Sequence, residues 1–373
     1  MKIVFTGGGT GGHIFPIIAI ARAIKKRGPA NLDLMYIGPK DEYAQEILLK
    51  EGINIYYVLS GKIRRYFSIP DFFLNIIDVL FKIPIGIIQS LYLVFTNSPD
   101  LIFSKGGFGS VPVVIASWIW GVPVFLHESD VSPGMANKIL GKISKEIFVS
   151  FPIKEIEYFP MNKMIQTGNP IREEIVNGDA LRAKEIFNLK GEKPLILILG
   201  GSQGSQRIND LILEIILHLL KNYEIIHQTG SRDLARIQKE INAIVPEVLR
   251  KEYHAYSFLK EEELKHAYKA SSCVIARAGA GTIFELAALK KPSILIPLPE
   301  AAQNHQSKNA YAYAKHKGCI VLEEGNLSPN FFLEKLKSLF ESKTLEEMEK
   351  ELNSFANPNS ADVIAKYLLD FLK

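Results

Sequence analysis

A chain of 373 residues is long for one domain and fits two of ordinary size. With 47% hydrophobic and 23% charged residues it has the composition of a globular protein with real cores. The net charge of +4 is spread along the chain, which argues against a nucleic-acid binder. Two cysteines, Cys273 and Cys319, are too few for a disulfide framework; each lies in an apolar run that reads as a buried strand, and a reducing cytosol is the natural setting.

The first element, "KIVFT", is a strand reached at once, so no secretory signal peptide is visible. It runs into "FTGGGTGGHIFP" (residues 5–16). A glycine loop from Gly7 to Gly12 either cradles a phosphate at a helix N-terminus or is a structural strand-to-helix turn. Its spacing is not that of a dinucleotide loop, and Asp41, the nearest acid after the second strand, falls in a loop. His13 closes the stretch, as a packed residue or, coupled to such a loop, as a general base. A helix is predicted from Pro16 to Arg27, with proline in its first turn.

"LDLMYIG" and "NIYYVL" are the next strands. "GKIRRYFSIPDFF" (61–73) then sets Lys62, Arg64 and Arg65 beside aromatic side chains, which suits an anionic lipid surface or a charged loop before a core helix. The apolar run from Phe72 to Phe95 is long enough to span a bilayer, but Asp78, Lys82 and Pro84 interrupt it. It predicts a buried or membrane-facing helix rather than a span. "DLIFSKG", "VPVFLHES" and "EIFVS" complete the strands of the first half, and "HESDVSPG" (127–134) brings His127, Glu128 and Asp130 together without metal spacing.

After "IQTGNPIRE" (165–173) the pattern restarts with "KPLILILGGSQGSQRINDLILEIILHLL" (193–220). In "GGSQGSQ", Ser202 and the amides of Gln203, Gly204 and Ser205 suit a diphosphate, or form a tight turn with a serine cap. The strands "YEIIHQTG", "CVIARAG", "KPSILIPLP" and "CIVLEEG" follow. "ARAGAGTIFEL" puts small residues ahead of a helix carrying Glu285, either a carboxylate for ribose hydroxyls or an acid that complements the helix dipole. Gln303, Asn304, His305 and Gln306 read sugar hydroxyls or form a solvated turn. No D-x-D or C-x-x-C motif occurs, so no metal or redox site is signalled.

The expected fold is α/β, two Rossmann-like doubly wound domains facing a cleft: residues 1–166, residues 167–355, and a terminal helix over 356–373 that can pack back on the first. "GGGTGGHIFP", "SKGGFGS", "HESD-xx-PG", "TGNPIR", "GGSQGS-x-xIN", "RAGAGTIFEL" and "HQSKNA" in this order resemble the MurG family of peptidoglycan glycosyltransferases, from Lys2 to about Lys317. The resemblance implies the GT-B fold and inverting transfer of N-acetylglucosamine from UDP-N-acetylglucosamine to lipid I, the undecaprenyl-diphospho-muramyl-pentapeptide, giving lipid II. It implies no cofactor and a peripheral place on the cytoplasmic face of the bacterial plasma membrane. Any protein partners would come from cell-wall synthesis. By resemblance, donor contacts fall on Thr10, Gly11, Gly12, Arg172, Ser202, Leu259, Ala280, Gly281, Thr282, Ile283, Phe284, Glu285 and Gln306. Glu285 would take the ribose, the Leu259 backbone the uracil and Gln306 the sugar, with the first loop and "KGGFGS" (105–110), which includes Gly106 and Gly107, facing the acceptor diphosphate. His13 is the candidate base. Many family members carry Gln-Asn where this chain has Ser129 and Asp130; Asp130 is expected to accept a hydroxyl hydrogen bond, the alternative being that its charge favours protonated His13 or another nearby cation and so belongs to the acid–base apparatus. The alternatives are transfer to a diacylglycerol lipid and epimerisation of the sugar nucleotide.

Overall fold

The computed structural model describes residues 1–8, 11–62, 69–156, 158–201, 203–299, 301–341, 344–351 and 355–373. The chain divides into two compact units, Met1–Arg172 with Pro358–Lys373, and Glu173–Asn357.

The first unit holds β1 (Lys2–Thr6), β2 (Asp33–Gly38), β3 (Asn54–Tyr57), β4 (Leu101–Ser104), β5 (Val124–Glu128), β6 (Glu146–Val149) and β7 (Met164–Gln166). They form one parallel sheet in the order β3-β2-β1-β4-β5-β6-β7. β1, β4 and β5 are runs of Ile, Val, Leu and Phe because helices cover both faces of a parallel sheet. Helix Gly11–Arg27 packs Ile14, Ile17 and Ile24 into the same core as Phe5, Phe103 and Phe148, and helix Ser360–Phe371 closes that core with Ile364 and Leu368. Each such side chain contributes on the order of 1.5–3 kcal/mol by burial.

That first helix starts at Gly11, not at the expected Pro16, which lies inside it. Proline lacks the N–H that would bond the carbonyl four residues back. Here that carbonyl belongs to Gly12, an exposed residue, so the lost bond falls where water can replace it. The early start lifts His13 out of the loop and onto the first helical turn.

The apolar run is helical throughout, from Ile69–Ile77 through a π-turn at Asp78–Lys82 to Ile83–Asn97. Among the described residues, the stretch Asp71–Asn97, 27 residues at mean hydropathy 1.7, is long and apolar enough to cross a membrane, and only 17% of its most apolar window is buried. Its buried positions are Asp78, Gly86, Ser90 and Val94, one stripe packed on the domain. Gly86 meets the Leu59 carbonyl and Pro112 with no room for a Cβ, and Trp120 Nε1 donates to Leu91 O at 3.1 Å. Of the two readings, a buried or a membrane-facing helix, the buried one does not hold. Phe72, Phe73, Leu80, Phe81, Ile88 and Phe95 are exposed. Asp78, which was expected to interrupt the stretch, instead fastens it: its buried carboxylate accepts the Lys62 amide at 3.1 Å and pairs with Lys82.

The second unit holds β8 (Leu195–Leu199), β9 (Glu224–Gln228), β10 (Tyr253–Tyr256), β11 (Cys273–Ala276), β12 (Ser293–Leu295) and β13 (Cys319–Val321), parallel in the order β10-β9-β8-β11-β12-β13. Helix Gln206–Asn222 buries Ile208, Ile212, Ile215 and Leu219 in its core. Cys273 and Cys319 are buried free thiols inside strands, each pushed up to about 12 by burial.

Candidate active site

The strand order of the first unit reverses at β1 and β4, and a doubly wound sheet opens a crevice beyond the carboxyl ends of such strands. Thr6 pairs with Ser104, and the Lys105 amide donates to Thr6 O at 2.8 Å. The His13 ring lies between two glycine backbones: a Cβ added to Gly8 would sit 3.1 Å from Nδ1, and one added to Gly107 would sit 3.0 Å from Nε2. Gly106 and Gly107 have φ of +81° and +79°, and a Cβ on Gly106 would strike the Asn137 amide. Glycine is required here by the chain's own geometry. The result is bare backbone around one imidazole.

Beneath it lies a polar network. Asn137 accepts the Gly107 amide at 3.0 Å and donates to Glu128 Oε2 at 2.7 Å, and Glu128 Oε1 accepts the Asp130 amide at 2.9 Å. Lys105 Nζ donates to Ser129 Oγ at 2.6 Å, and Ser129 Oγ donates to Asn169 Oδ1 at 2.9 Å. Burial lowers the Lys105 ammonium, while Glu128 and Asp130 hold it up. Burial, then Asp130, raises Glu128 to about 7. His13 keeps part of its surface at solvent, but its enclosed ring is pushed down to about 3, first by desolvation and second by Lys105. It is neutral at physiological pH. Arg172, buried, lays its guanidinium 4.1 Å from the centroid of Phe15, on the helix of His13. Gly11 lies beside the Phe15 ring and Gly12 is exposed; Thr10 lies outside the described residues.

The second unit reverses its strand order at β8 and β11. Of the loop after β8, Ser202 lies outside the described residues. Gly204, at φ +80°, closes the turn against Thr229 O, and its amide donates to Gly201 O at 3.1 Å. Ser205 caps helix Gln206–Asn222 and accepts Arg277 Nη2 at 2.7 Å. The tight capped turn is thus present, and the Gly204 amide is used inside it.

Beyond β11, Gly279 and Gly281 differ from Gly106, Gly107 and Gly204. Neither has a positive φ, and a Cβ on either would meet nothing within 4 Å. Neither backbone conformation nor packing calls for glycine, which leaves room for an incoming group. Glu285 stands in the second turn of helix Ala280–Ala288, beyond the end where a dipole complement acts, and accepts the Tyr268 hydroxyl at 3.0 Å. Ala280, Ile283 and Phe284 are buried, so their side chains serve the core, while Thr282 is half-buried beside the opening. Leu259 is buried, and its amide donates to Gln228 Oε1 at 2.9 Å while Gln228 Nε2 donates to Gly201 O at 2.9 Å. Gln306 Oε1 accepts the Leu298 amide at 3.0 Å. Gln303 and Asn304 take left-handed φ values of +58° and +56° at the entry to helix His305–Ala314.

Sequence reasoning missed Tyr268, Gln228 and Arg277, and took Lys105 only as part of the stretch 105–110. Arg277 stands directly at a strand end, a signal that was available; Tyr268 and Gln228 act across sequence distances that only the fold closes. Among the described residues no group of three or more His, Cys, Asp and Glu could hold a metal ion.

Residues 3–149 match the N-terminal domain and residues 195–364 the C-terminal domain of glycosyltransferase family 28. Two parallel-sheet α/β units with these two domains make the chain a glycosyltransferase of the GT-B fold. The UDP-N-acetylglucosamine--N-acetylmuramyl-(pentapeptide) pyrophosphoryl-undecaprenol N-acetylglucosamine transferase of Clostridium tetani is 39% identical over 98% of both chains, and that of Clostridium kluyveri 38% over 92% of both. Among solved structures, MurG of Acinetobacter baumannii superposes with a TM-score of 0.74 at 23% identity, covering 99% of each chain. The UDP-GlcNAc 2-epimerase of Neisseria meningitidis, bound to UDP-GlcNAc, reaches 0.69 at 15% identity, covering 99% of this chain and 100% of its own. These structures speak to the fold alone. The identities over nearly the whole length go further: the chain belongs to the family of UDP-N-acetylglucosamine--N-acetylmuramyl-(pentapeptide) pyrophosphoryl-undecaprenol N-acetylglucosamine transferases.

Proposed function

We propose that this chain transfers N-acetylglucosamine from UDP-N-acetylglucosamine to lipid I with inversion, forming lipid II. The observation that carries the reading is the 39% identity, over 98% of both chains, to a transferase of that name. The muramyl hydroxyl attacks the anomeric carbon, the bond to the UDP oxygen breaks, and the hydroxyl proton passes to His13. A ring that is neutral before the substrates arrive is in the state that a base needs. An acceptor diphosphate over Gly106 and Gly107 would add negative charge beside that ring and raise its affinity for the proton.

On the donor side, Gly279 and Gly281 leave space for the nucleoside, and Glu285, oriented by Tyr268, is proposed to take the ribose hydroxyls. The Leu259 amide is already engaged, so its carbonyl is the group proposed for uracil. The Gln306 oxygen is likewise engaged, which leaves its NH2 for a sugar hydroxyl. The N-terminus of helix Gln206–Asn222 is proposed to face the diphosphate.

The exposed face of Asp71–Asn97, continued by Trp118 and Trp120, is proposed to rest on the cytoplasmic leaflet beside Lys62. Arg64 and Arg65, proposed for the same surface, lie outside the described residues. The buried stripe through Asp78 and Gly86 favours peripheral docking over a free span.

His13→Ala tests the chemistry. It should keep donor binding and lose turnover with lipid I by about 10²–10⁴-fold. Near-normal turnover would return His13 to a packing role.

A further inference from the structure

Tyr36 carries a buried hydroxyl for which the reaction described so far has no use. It lies on β2, paired with Phe5 of β1, and is 1% exposed. Its hydroxyl donates to Gly7 O at 3.1 Å. Two glycines make room for that bond. A Cβ on Gly38, two residues along and on the same face of β2, would lie 2.6 Å from the Tyr36 oxygen. A Cβ on Gly109 would strike Gly7 O and lie 2.8 Å from Pro39 Cδ. The Gly7 carbonyl is therefore gripped between the hydroxyl and the backbone of the stretch 105–110.

The other end of the same peptide lies at the site. The Gly7–Gly8 peptide is trans, so the Gly8 N–H is directed opposite to Gly7 O. The Gly8 nitrogen lies beside the bare Gly107 backbone, where a Cβ would stand 3.6 Å from it and 3.0 Å from His13 Nε2. Among the described residues this amide has no hydrogen-bond partner. Gly8 is buried, and a buried N–H is costly unless something accepts from it. An anion over this stretch would accept from it.

We propose that Tyr36 is a positioning residue for the acceptor side of glycosyl transfer: by holding the Gly7 carbonyl it fixes the Gly7–Gly8 peptide plane and presents the Gly8 N–H to the acceptor diphosphate beside His13. It rests on the reading of the first loop and of His13 given above. Tyr36 touches no reacting atom. A peptide between two glycines has no side chain of its own to hold its plane. Left free, it could turn the Gly7 carbonyl toward the crevice, where the oxygen would repel an anion that the N–H attracts. The hydroxyl, on a ring locked in the sheet, prevents that turn.

Tyr36→Phe removes the hydroxyl and keeps the ring. The experiment is steady-state kinetics of the full chain with lipid I varied at saturating donor, with melting temperatures and calorimetric donor titrations of the same proteins. In Tyr36→Phe, kcat/KM for lipid I should fall about 2- to 12-fold, the equivalent of one neutral hydrogen bond. Affinity for UDP-N-acetylglucosamine should stay at the wild-type value, because the proposed contacts Leu259, Glu285 and Gln306 lie in the second unit. Ile364→Val, a core deletion on the terminal helix of the first unit, is the control for lost stability: it should lower the melting temperature and leave kcat/KM for lipid I unchanged. A Tyr36→Phe protein with wild-type kcat/KM for lipid I would overturn the proposal. So would a loss matched by Ile364→Val, or one in which donor affinity falls in step. The outcomes separate from the parent reading: if His13→Ala keeps its turnover, the base assignment fails whatever Tyr36 does. If His13→Ala is inactive and Tyr36→Phe behaves as wild type, only the present proposal fails. Should Tyr36→Phe not fold, Gly109→Ala, whose methyl would press on the same carbonyl, carries the same comparison.

Discussion

Gly281→Ala should separate a glycine kept for a ligand from one kept for the fold. Gly281 is the second residue of helix Ala280–Ala288, with an ordinary backbone and no atom within 4 Å of where its Cβ would stand. In the ligand-free protein the new methyl therefore meets nothing, and helical alanine should stabilise the chain by about 0.5–1 kcal/mol. With the donor bound, the same methyl occupies the space proposed for the nucleoside. Forcing an extra methyl into a packed contact costs roughly 1–3 kcal/mol, which weakens binding about 5- to 150-fold. Stability and affinity should move in opposite directions. Gly204→Ala is the contrasting control: at φ +80° and against Thr229 O, its side chain has no room, so it should destabilise with or without ligand. Thermal unfolding with calorimetric titration of UDP-N-acetylglucosamine reads both quantities. A Gly281→Ala protein that binds the donor as tightly as wild type would refute the assignment of the open space to the nucleoside.

Other expectations follow from the same geometry. Glu285→Ala should weaken UDP binding about 10- to 150-fold, since a hydrogen bond to a charged group contributes roughly 1.5–3 kcal/mol, and Tyr268→Phe should weaken it less, in the same direction; unchanged UDP affinity in folded Glu285→Ala protein would remove the ribose assignment. Binding to anionic vesicles should fall with salt and with Phe81→Ser, each nearby basic residue contributing about 1 kcal/mol; equal binding to neutral and anionic vesicles would count against the docking face. The His227 ring, pushed down to about 3 by burial, should not titrate between pH 8 and 5 in NMR spectra. Because the fold favours its neutral form, its contribution to stability is lost as pH falls from about 6.5 toward 3, at about 1.4 kcal/mol per pH unit. A normal titration near pH 6.5 would show that the ring is not enclosed as described.

The parallel sheets were legible because strands buried on both faces need unbroken apolar runs, and "KIVFT", "DLIFS" and "LILIL" have nothing else. The two strands that were not predicted lie at sheet edges: β7 has three residues, and β10 reads Tyr-His-Ala-Tyr, half-buried and without alternation. The start of the first helix was misplaced because proline at a first turn is the stronger local signal, and only the exposed Gly12 carbonyl makes an interior Pro16 cheap. The apolar helix could not be placed from composition, since a core helix and a surface helix read alike. Its single buried stripe depends on Leu59 and Pro112, which lie outside it. At the sites, the glycines were visible but their reasons were not. Gly106 is glycine for its fold and Gly281 for open space, a difference that no spacing encodes.

The central claim is the transfer itself, and radiolabelled UDP-N-acetylglucosamine incubated with the full chain and with or without lipid I tests it most directly. The account predicts label in a lipid-linked disaccharide, with UDP released in equal amount and only when lipid I is present, and loss of both in His13→Ala. UDP release or sugar epimerisation without lipid I, or label passing to diacylglycerol instead, would contradict it.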